Sequence, residues 1–423
     1  MHKRDFLRTL GGTAAAALFG ERLLARAAAA APAILAEDEP FWAEVRSRYQ
    51  LPTDRIDLEQ GYYSRMALPV LDAFVEHARR INRDAAFYMR TAQANDKQTA
   101  RTQLAALAGC SPDELILTRN TTESLDTVIA GRDWRTGDEA VMAAQDYGAM
   151  LDMFALQARR YGIVNRIVSL PQDPRSDAEI VELYRNAITE RTRLLMVCHL
   201  VNITGQILPV QKICAMAHER GVPVLVDGAH AFAQLEFRIP DLGCDYYGAS
   251  LHKWLGCPLG AGILYVRKDR IAGLWPLFGD RNFADDDIRK LNHTGTHPAH
   301  TDCTVAAAIA FHQGLGAARK EARLRFLQRY WTDRMRGLPK VTLFTPSEPQ
   351  RACAIASVGI DGMPPQDLQK ALLARFRIFT VAIDNAGVHG VRVTPHVSTT
   401  LAELDTFTAA LRELAASQAG QSR

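Results

Sequence analysis

Several features that would define other classes of protein are missing from this 423-residue sequence. No repeat of solenoid period and no low-complexity block stands out, and beyond the N-terminus no apolar run is long enough to cross a bilayer. The seven cysteines are scattered, odd in number and without a C-x-x-C pair. They therefore predict neither a disulfide framework nor a zinc site, and we interpret most of them as small buried residues.

The chain also has little net charge, and that charge belongs to its first residues. The formal net charge is +3, and residues 1–31 hold five basic and two acidic side chains, so the remainder is close to neutral. This balance does not indicate nucleic-acid binding. The composition, with 48% hydrophobic and 23% charged residues, is ordinary for a globular protein, and the length predicts more than one domain.

Residues 1–31 have the pattern of an export signal. They begin with charged residues, continue with a modestly apolar stretch and end in small residues suited to cleavage. The segment Lys3-Arg4-Asp5-Phe6-Leu7 resembles a twin-arginine signal in which Lys replaces the first Arg. We therefore expect a periplasmic protein without a membrane span in its mature chain. The alternative is a cytoplasmic protein that begins with an amphipathic helix.

Short apolar runs alternate with helical segments through the middle of the chain. These runs are continuously apolar, as expected for strands buried on both faces, and their alternation with helices indicates an α/β fold with a mostly parallel sheet. The predicted strands are 114–118, 140–144, 194–200, 222–226, 246–249 and 262–266. Helical periodicity marks 41–49, 69–81, 95–107, 305–335 and 366–375, and a capping box at Thr400 and Glu403 begins a last helix.

The character of the sequence changes near residue 303, where charged helical segments and short strands replace the buried strands. We predict four regions on this basis. Residues 1–31 form the signal, 32–65 an N-terminal segment that packs with a small domain, 66–302 a large domain, and 303–423 a smaller C-terminal α/β domain.

Polar residues follow five of the predicted strands. Ligands of open α/β sheets bind beyond the carboxyl ends of the strands, so these residues are candidates for one site. They are Thr118–Glu123, Gln145–Tyr147, His199 with Asn202, Asp227 with His230, and Ser250–Trp254.

Each candidate has an ordinary interpretation beside the chemical one. Asp227 would cap a helix or hold a pyridinium nitrogen in its protonated form. Lys253 would extend to solvent or, if desolvated, act as a nucleophile toward an aldehyde. Asn120 and Glu123 would cap a helix whose N-terminus could also bind a phosphate, and Tyr147 would be a rim aromatic or stack on a flat cofactor.

Three segments carry a resemblance to a known family. Val226-Asp227-Gly228-Ala229-His230, Ser250-Leu251-His252-Lys253-Trp254-Leu255 and 260–266 look like the core of the class V aminotransferases. The resemblance runs from about Gly61 to Phe407 and is strongest to the isopenicillin N epimerase-like branch. It implies the fold-type-I architecture of pyridoxal 5'-phosphate (PLP) enzymes, with a large domain and a smaller C-terminal domain, and PLP as the cofactor.

The same resemblance implies roles for individual residues around the cofactor ring. Lys253 would be the Schiff-base lysine and Asp227 the partner of the pyridine nitrogen. His230 and Asn202 would lie near the phenolic oxygen, and Tyr147 would stack on the ring. Thr121, Thr122, Ser250 and His252 match positions on the phosphate side.

Further positions imply a second subunit and a substrate. Thr296 matches the turn that reaches the phosphate of a neighbouring subunit, which implies a homodimer. Arg392 matches the arginine that binds the substrate carboxylate, with a surface ion pair as its ordinary interpretation. Tyr62 and Tyr63 lie in a segment that often borders the substrate, and the preceding Glu59-Gln60-Gly61 departs from the usual Asn-x-Gly, so the substrate is expected to differ.

The resemblance leaves the reaction open. We expect a class V aminotransferase acting on an amino acid, with an amino-acid epimerase or racemase as the alternative. A PLP-dependent lyase or desulfurase is less favoured, because residues 383–390 contain no cysteine where desulfurases carry their nucleophile. A non-catalytic PLP-fold binding protein is also disfavoured, because the Asp227–Lys253 pair is intact. The cluster of His293, His297, His300, Asp302 and Cys303 would suit a transition metal, but Gly and Pro interrupt its spacing and we predict no metal.

Overall fold

The protein, in a computed structural model, is described over residues 20–421, so residues 1–19 of the predicted signal lie outside the described part. Numbered along that part, the helices are α1 (Glu21–Ala29), α2 (Pro32–Leu35), α3 (Glu39–Arg46), α4 (Leu68–Thr91), α5 (Gln93–Ala108), α6 (Thr121–Ala130), α7 (Gly148–Tyr161), α8 (Asp177–Ala187), α9 (Val210–His218), α10 (Ala299–Leu315), α11 (Ala317–Met335), α12 (Pro365–Phe376) and α13 (Leu401–Gln421).

The strands follow the same order. They are β1 (Ile56–Asp57), β2 (Leu115–Thr118), β3 (Glu139–Ala143), β4 (Val164–Val168), β5 (Thr192–Cys198), β6 (Val224–Asp227), β7 (Tyr246–Ser250), β8 (Gly262–Val266), β9 (Val341–Leu343), β10 (Ala356–Ile360), β11 (Ile378–Phe379), β12 (Val381–Asn385) and β13 (Val388–Val393).

Two compact units make up the chain. The first, which we call the outer unit, comprises the described residues up to Leu68, Val201–Ile207 and the chain from Phe311 onward. The second, the sheet unit, comprises Pro69–Leu200 and Leu208–Ala310. The boundary between the two units after residue 310 lies inside α10. The short segment Val201–Ile207 belongs to the outer unit, whereas the residues before and after it belong to the sheet unit.

The sheet unit is built on seven strands in the order β2-β8-β7-β6-β5-β3-β4. Strands β4, β3, β5, β6 and β7 pair in parallel, and β8 runs antiparallel to β7 and β2. Nearly all residues of the central strands are buried, because helices cover both faces of such a sheet. The predicted mostly parallel α/β sheet is confirmed.

Strand β4 was not predicted from the sequence. It is an edge strand whose residues are exposed or half-buried, including Ile167 at 59% exposure. The other strands of this sheet were predicted from continuous apolar runs, which mark strands buried on both faces. Strand β4 has no such run, so this pattern does not predict it.

The predicted helix 305–335 is two helices in the structure. The boundary between α10 and α11 is Gly316, whose φ is 83°, a left-handed conformation that few other residues adopt. The predicted capping box of the last helix is present. The Glu403 amide donates to Thr400 Oγ1 at 3.2 Å, and the Thr400 amide donates to Glu403 Oε2 at 2.8 Å.

The outer unit contains a four-stranded antiparallel sheet in the order β12-β13-β10-β9 and a two-stranded parallel pair, β1 with β11. Its core includes Leu327, Trp331, Phe407 and Leu411. Strands β12 and β13 are joined by the two-residue turn Ala386-Gly387, in which both residues have positive φ. No helix in residues 20–421 is long and apolar enough to cross a membrane.

Candidate active site

Lys253 is buried in the sheet unit, on the segment that follows β7. Its side chain is 7% exposed, and Nζ lies 3.1 Å from Nε2 of His230. The indole Nε1 of Trp254 donates to Nδ1 of the same histidine at 3.4 Å. With Nδ1 acting as an acceptor, a neutral His230 carries its proton on Nε2, which faces Lys253 Nζ. This arrangement suits the uncharged form of the Lys253 amine, which is the nucleophilic form.

Asp227 is the last residue of β6 and is 4% exposed. Its Oδ1 accepts the amide of Ala229 at 2.9 Å, so it closes a tight turn and does not cap a helix. Burial raises the pKa of Asp227, while the Ala229 amide and the charge of Lys253 act in the opposite direction. The turn at Gly228 passes directly over Tyr247, because a Cβ there would lie 1.9 Å from the tyrosine ring.

The predicted phosphate-side residues meet at the N-terminus of α6. Ser250 Oγ accepts the Thr121 amide at 2.9 Å and lies 2.7 Å from Thr121 Oγ1. Asn120 caps the helix by accepting the Glu123 amide at 2.9 Å, whereas Thr122 is half-buried in the first turn. Free amides and the helix dipole make this terminus suitable for an anion.

His252 lies near this group but makes a different contact. Its Nδ1 is 3.2 Å from the carbonyl of Ala261, and burial lowers its pKa to about 4, with the Lys253 charge acting in the same direction. Tyr147 is half-buried at the start of α7 and packs against the sheet core. Thr296 is exposed beside Gly295 and makes no hydrogen bond to Thr121 or Ser250, so its role toward a second subunit stays a prediction.

The outer unit holds the predicted substrate arginine. Arg392 lies in β13 and is fully buried. Its Nη2 and Nε donate to the two carboxylate oxygens of Glu59 at 2.6 and 3.2 Å, and Nη1 donates to the carbonyl of Asn202 at 3.3 Å. The guanidinium lies 4.3 Å from the centre of the Tyr62 ring. Arg392 is therefore in a buried ion pair and not in the surface ion pair that was its ordinary interpretation.

Asn202 and Tyr62 complete this group. Asn202 Nδ2 donates to the Tyr62 hydroxyl at 3.4 Å, while its buried Oδ1 has no hydrogen-bond partner among the described residues. Tyr63 stays 68% exposed, with its ring 5.9 Å from that of Tyr62. The structure thus brings together Arg392, Asn202 and Tyr62, and leaves Tyr63 at the surface.

Sequence reasoning assigned no role to two carboxylates that the structure places beside predicted residues. Glu59 was noted only as a departure from a family pattern, although an acidic residue there could have been matched with Arg392. Asp146 follows β3 and is buried, with Oδ2 accepting the Ala143 amide at 2.8 Å. The pKa of Asp146 is raised to about 7, chiefly by burial, with the neighbouring charge of Asp227 acting in the same direction.

The histidine cluster near residue 300 is dispersed among separate contacts. His297 Nε2 lies 2.9 Å from Asp302, His300 packs on Phe74, and Cys303 lies 3.2 Å from the Tyr88 hydroxyl. Among residues 20–421, no group of three or more His, Cys, Asp or Glu side chains is arranged to hold a metal ion.

Comparison with known proteins defines the class. The family model described as "Aminotransferase class-V" matches residues 64–401. An isopenicillin N epimerase from Amycolatopsis lactamdurans is 31% identical over 88% of this chain and 98% of its own length. The chain belongs to the class V aminotransferase family of PLP-dependent, fold-type-I enzymes.

Solved structures share the fold. The apo cysteine desulfurase from Thermococcus onnurineus NA1 has a TM-score of 0.78 at 22% identity, covering 88% of this chain and 98% of that one. A variant of C-DES with glycine covalently linked to its PLP cofactor also has a TM-score of 0.78, at 23% identity, covering 86% and 98%.

Pyridoxal phosphate is accordingly the cofactor, and the residues of the sheet unit fit it. Lys253 is a buried amine in contact with a histidine, Asp227 is a buried carboxylate, and Thr121 with Ser250 places two hydroxyl groups at a helix N-terminus. These three features match the aldehyde, the pyridine nitrogen and the phosphate of the cofactor.

Proposed function

We propose that this enzyme removes and returns the α-proton of an amino-acid substrate, with epimerisation or racemisation as the outcome. The sequence alone favoured transamination as the broader expectation. The match to an isopenicillin N epimerase over 98% of that protein moves our preference to the epimerase alternative. The observation that carries the proposal is the 3.1 Å contact between Lys253 Nζ and His230 Nε2.

This contact gives the chain a pair of proton-handling groups. When bound, PLP supplies an electron sink that acidifies the α-proton of an attached amino acid. Lys253 is then the base that takes the proton, and His230 provides a second nitrogen that can exchange a proton with it. In its ionised form the buried carboxylate of Asp227 would hold a positive charge at the pyridine nitrogen of the bound cofactor.

Substrate orientation falls to Arg392. A guanidinium binds a carboxylate through two parallel hydrogen bonds, but here Glu59 already occupies Nε and Nη2. A substrate carboxylate must therefore displace Glu59 or use the remaining donors of Nη1 and Nη2. Glu59 thus acts as an internal competitor that restricts which carboxylates bind.

The thiols and the β12–β13 turn argue against sulfur transfer. Burial raises the pKa of Cys353 to about 12, and burial also raises the pKa of Cys303, so neither is a thiolate at neutral pH. The turn between β12 and β13 contains only Ala386 and Gly387, which leaves no loop to carry a nucleophilic cysteine.

Proton exchange measured against product formation tests the proposal. Holoenzyme incubated in D2O with single amino-acid enantiomers should incorporate deuterium at the α-carbon and lose optical activity without forming a keto acid. Stoichiometric keto acid and an aminated cofactor would instead establish transamination. Lys253→Ala should lose both the exchange and the visible colour of the covalently bound cofactor, whereas Lys268→Ala on an exposed segment should keep both.

A further inference from the structure

The predicted signal, residues 1–31, includes the whole of α1, and the structure packs this helix on α3 within the outer unit. The side chain of Leu23 is fully buried, and Ala27 is only 2% exposed. Removing a leucine side chain from water is as favourable here as in any protein core. A segment that is cut away after export would not require such burial, so α1 has the character of a structural element.

Arg26 adds polar contacts between α1 and α3. Its Nη2 donates to both carboxylate oxygens of Asp38, at 3.0 and 3.2 Å, and its Nη1 donates to Glu44 at 3.4 Å. The guanidinium also lies 5.5 Å from the centre of the ring of Phe41, which is fully buried. Because the ion pairs are about one-third exposed, we expect them mainly to orient α1, while Leu23 supplies most of the stability.

The C-terminal end of α1 is bound by a residue from a distant part of the chain. Arg319, in the first turn of α11, donates through Nη1 to the carbonyl of Ala27 at 3.2 Å, although the two residues are 292 positions apart. The last four carbonyls of a helix have no partner within it, and a cation at this end also interacts favourably with the helix dipole. Arg319 therefore caps α1 from the outer unit.

The small residues that suit cleavage lie inside or directly after this packed helix. Ala25-Arg26-Ala27 belongs to α1, and Ala30 and Ala31 connect it to α2 in an extended conformation. A protease reaches a bond within a packed helix only after the helix unfolds locally. Cleavage after Ala31 would remove α1 and uncover the ring of Phe41 together with its neighbouring carboxylates.

We propose that residues 20–31 are a permanent part of the mature enzyme, docked on α3 and the first turn of α11, and that any processing of the signal takes place before Gly20. The surface formed by these two helices is then an interaction surface for the chain's own N-terminal segment. The basic pair Lys3-Arg4 lies outside the docked segment, so recognition for export does not depend on this proposal. The proposed reaction does not depend on it either, because the predicted lysine and aspartate of the cofactor site belong to the sheet unit.

Limited trypsin digestion of the full-length holoenzyme tests the docking, with cleavage of the Arg26–Ala27 bond followed by mass spectrometry. Leu23→Ala keeps this trypsin site but removes the buried side chain, so cleavage should become at least about tenfold faster. Ile34→Ala removes an aliphatic side chain that is 69% exposed and should be cleaved at the wild-type rate. The visible cofactor absorption should be the same in both variants, which separates loss of docking from failure to fold.

A charge reversal on α3 provides a second variant for the same assay. Glu44→Lys replaces a partner of Arg26 with a like charge, and cleavage of the Arg26–Ala27 bond should become about threefold faster. Glu37→Lys makes the same change at an exposed position before α3 and should leave the rate unchanged. Equal cleavage rates for Leu23→Ala and the wild type would show that α1 is not docked in solution and would overturn the proposal.

The N-terminus of the mature enzyme tests the processing directly. Cells that express the full-length chain are fractionated, and the N-terminus of the enzyme in each fraction is determined by mass spectrometry. In both the periplasmic and the cytoplasmic fraction the chain should begin at or before Gly20. A mature enzyme that begins after Ala27 or after Ala31 would contradict the proposal, whatever the result of the trypsin assay.

Discussion

The environment of individual side chains in this enzyme depends on the residue that each one contacts in the folded chain. Lys253 has the sequence environment of an ordinary surface lysine, yet it is buried and bonded to His230. Arg392 could be placed from its neighbours in β13, but its partner could not, because Glu59 lies more than three hundred residues away in sequence. A family motif identifies positions, whereas the pairing of charges depends on contacts that only the folded chain brings together.

The Glu59–Arg392 pair leads to a prediction for substrate affinity. Glu59→Gln removes the competing negative charge but keeps an oxygen acceptor, so a substrate carboxylate meets an uncompensated guanidinium. We expect KM for the amino-acid substrate to fall by about tenfold, equivalent to one charge-assisted hydrogen bond, and Tm to fall because a buried charge loses its partner.

Initial rates across substrate concentrations check this expectation. Glu348→Gln, which removes an exposed partner of Arg351, is the matched control and should leave KM unchanged. An increased KM in Glu59→Gln would mean that Glu59 orients Arg392 for the substrate and does not compete with it.

Asp146 leads to a prediction about pH. Its pKa is about 7 in the folded enzyme because of burial, whereas an unfolded aspartate has a pKa near 3.8. The folded state thus holds a proton that the unfolded state releases, and stability declines as the pH rises toward 7, by up to about 1.4 kcal/mol per pH unit. Asp146→Asn removes this decline.

Thermal unfolding of the holoenzyme between pH 4 and 8 measures the effect. The Tm of Asp146→Asn relative to the wild type should increase from pH 4 to pH 7 and then level off. Asp152→Asn, an exposed residue on α7, should show a constant difference. A difference for Asp146→Asn that does not vary with pH would show that the carboxyl does not titrate in this range.

Among the secondary-structure elements, burial decided which could be predicted. Strands β3, β5, β6, β7 and β8 are covered on both faces, and their apolar runs predicted them to within two residues at each end. The edge strand β4 was missed because its residues are exposed or half-buried, and the break at Gly316 was missed because a single glycine within helical periodicity is often tolerated. The candidate active site was likewise predicted only in part. Residues within sequence motifs were predicted, whereas their partners from distant parts of the sequence were not.

The junction of β7 with α6 gives a prediction at the scale of these elements. Ser250, at the end of β7, bonds both the amide and the hydroxyl of Thr121, at the start of α6. We expect Ser250→Ala to weaken PLP binding by about ten- to a hundredfold, because Ser250 is predicted to donate one hydrogen bond to the charged phosphate. Titration of apoenzyme with PLP, followed by visible absorption, measures the dissociation constant.

A serine at another helix N-terminus provides the control. Ser176 caps α8 by accepting the Glu179 amide at 3.2 Å. Ser176→Ala, like Ser250→Ala, removes a serine hydrogen bond at a helix N-terminus, so it should lower Tm but leave PLP affinity unchanged. Equal PLP affinities for Ser250→Ala and the wild type would remove Ser250 from the phosphate site.

For the whole molecule, the division into units has a consequence for how the enzyme is made. Lys253, Asp227 and Thr121 all belong to the sheet unit, which is assembled from two separate stretches of chain, Pro69–Leu200 and Leu208–Ala310. The predicted cofactor residues therefore come together only after both stretches have been synthesised. Because the predicted cofactor site forms only in the folded sheet unit, we expect the enzyme to bind PLP before it is transported.

Export of the folded enzyme is accordingly our last prediction, and we propose that residues 1–31 direct it. A twin-arginine route carries folded proteins, and its recognition depends on the basic pair, here Lys3-Arg4. Arg4→Ala should leave the PLP-loaded enzyme in the cytoplasm, measured by fractionation and by visible cofactor absorption in each fraction. Arg8→Ala removes the same charge outside the pair and should still be exported. If Arg4→Ala and Arg8→Ala distribute alike, the pair has no special role, and any effect of either variant reflects only the net positive charge of the segment.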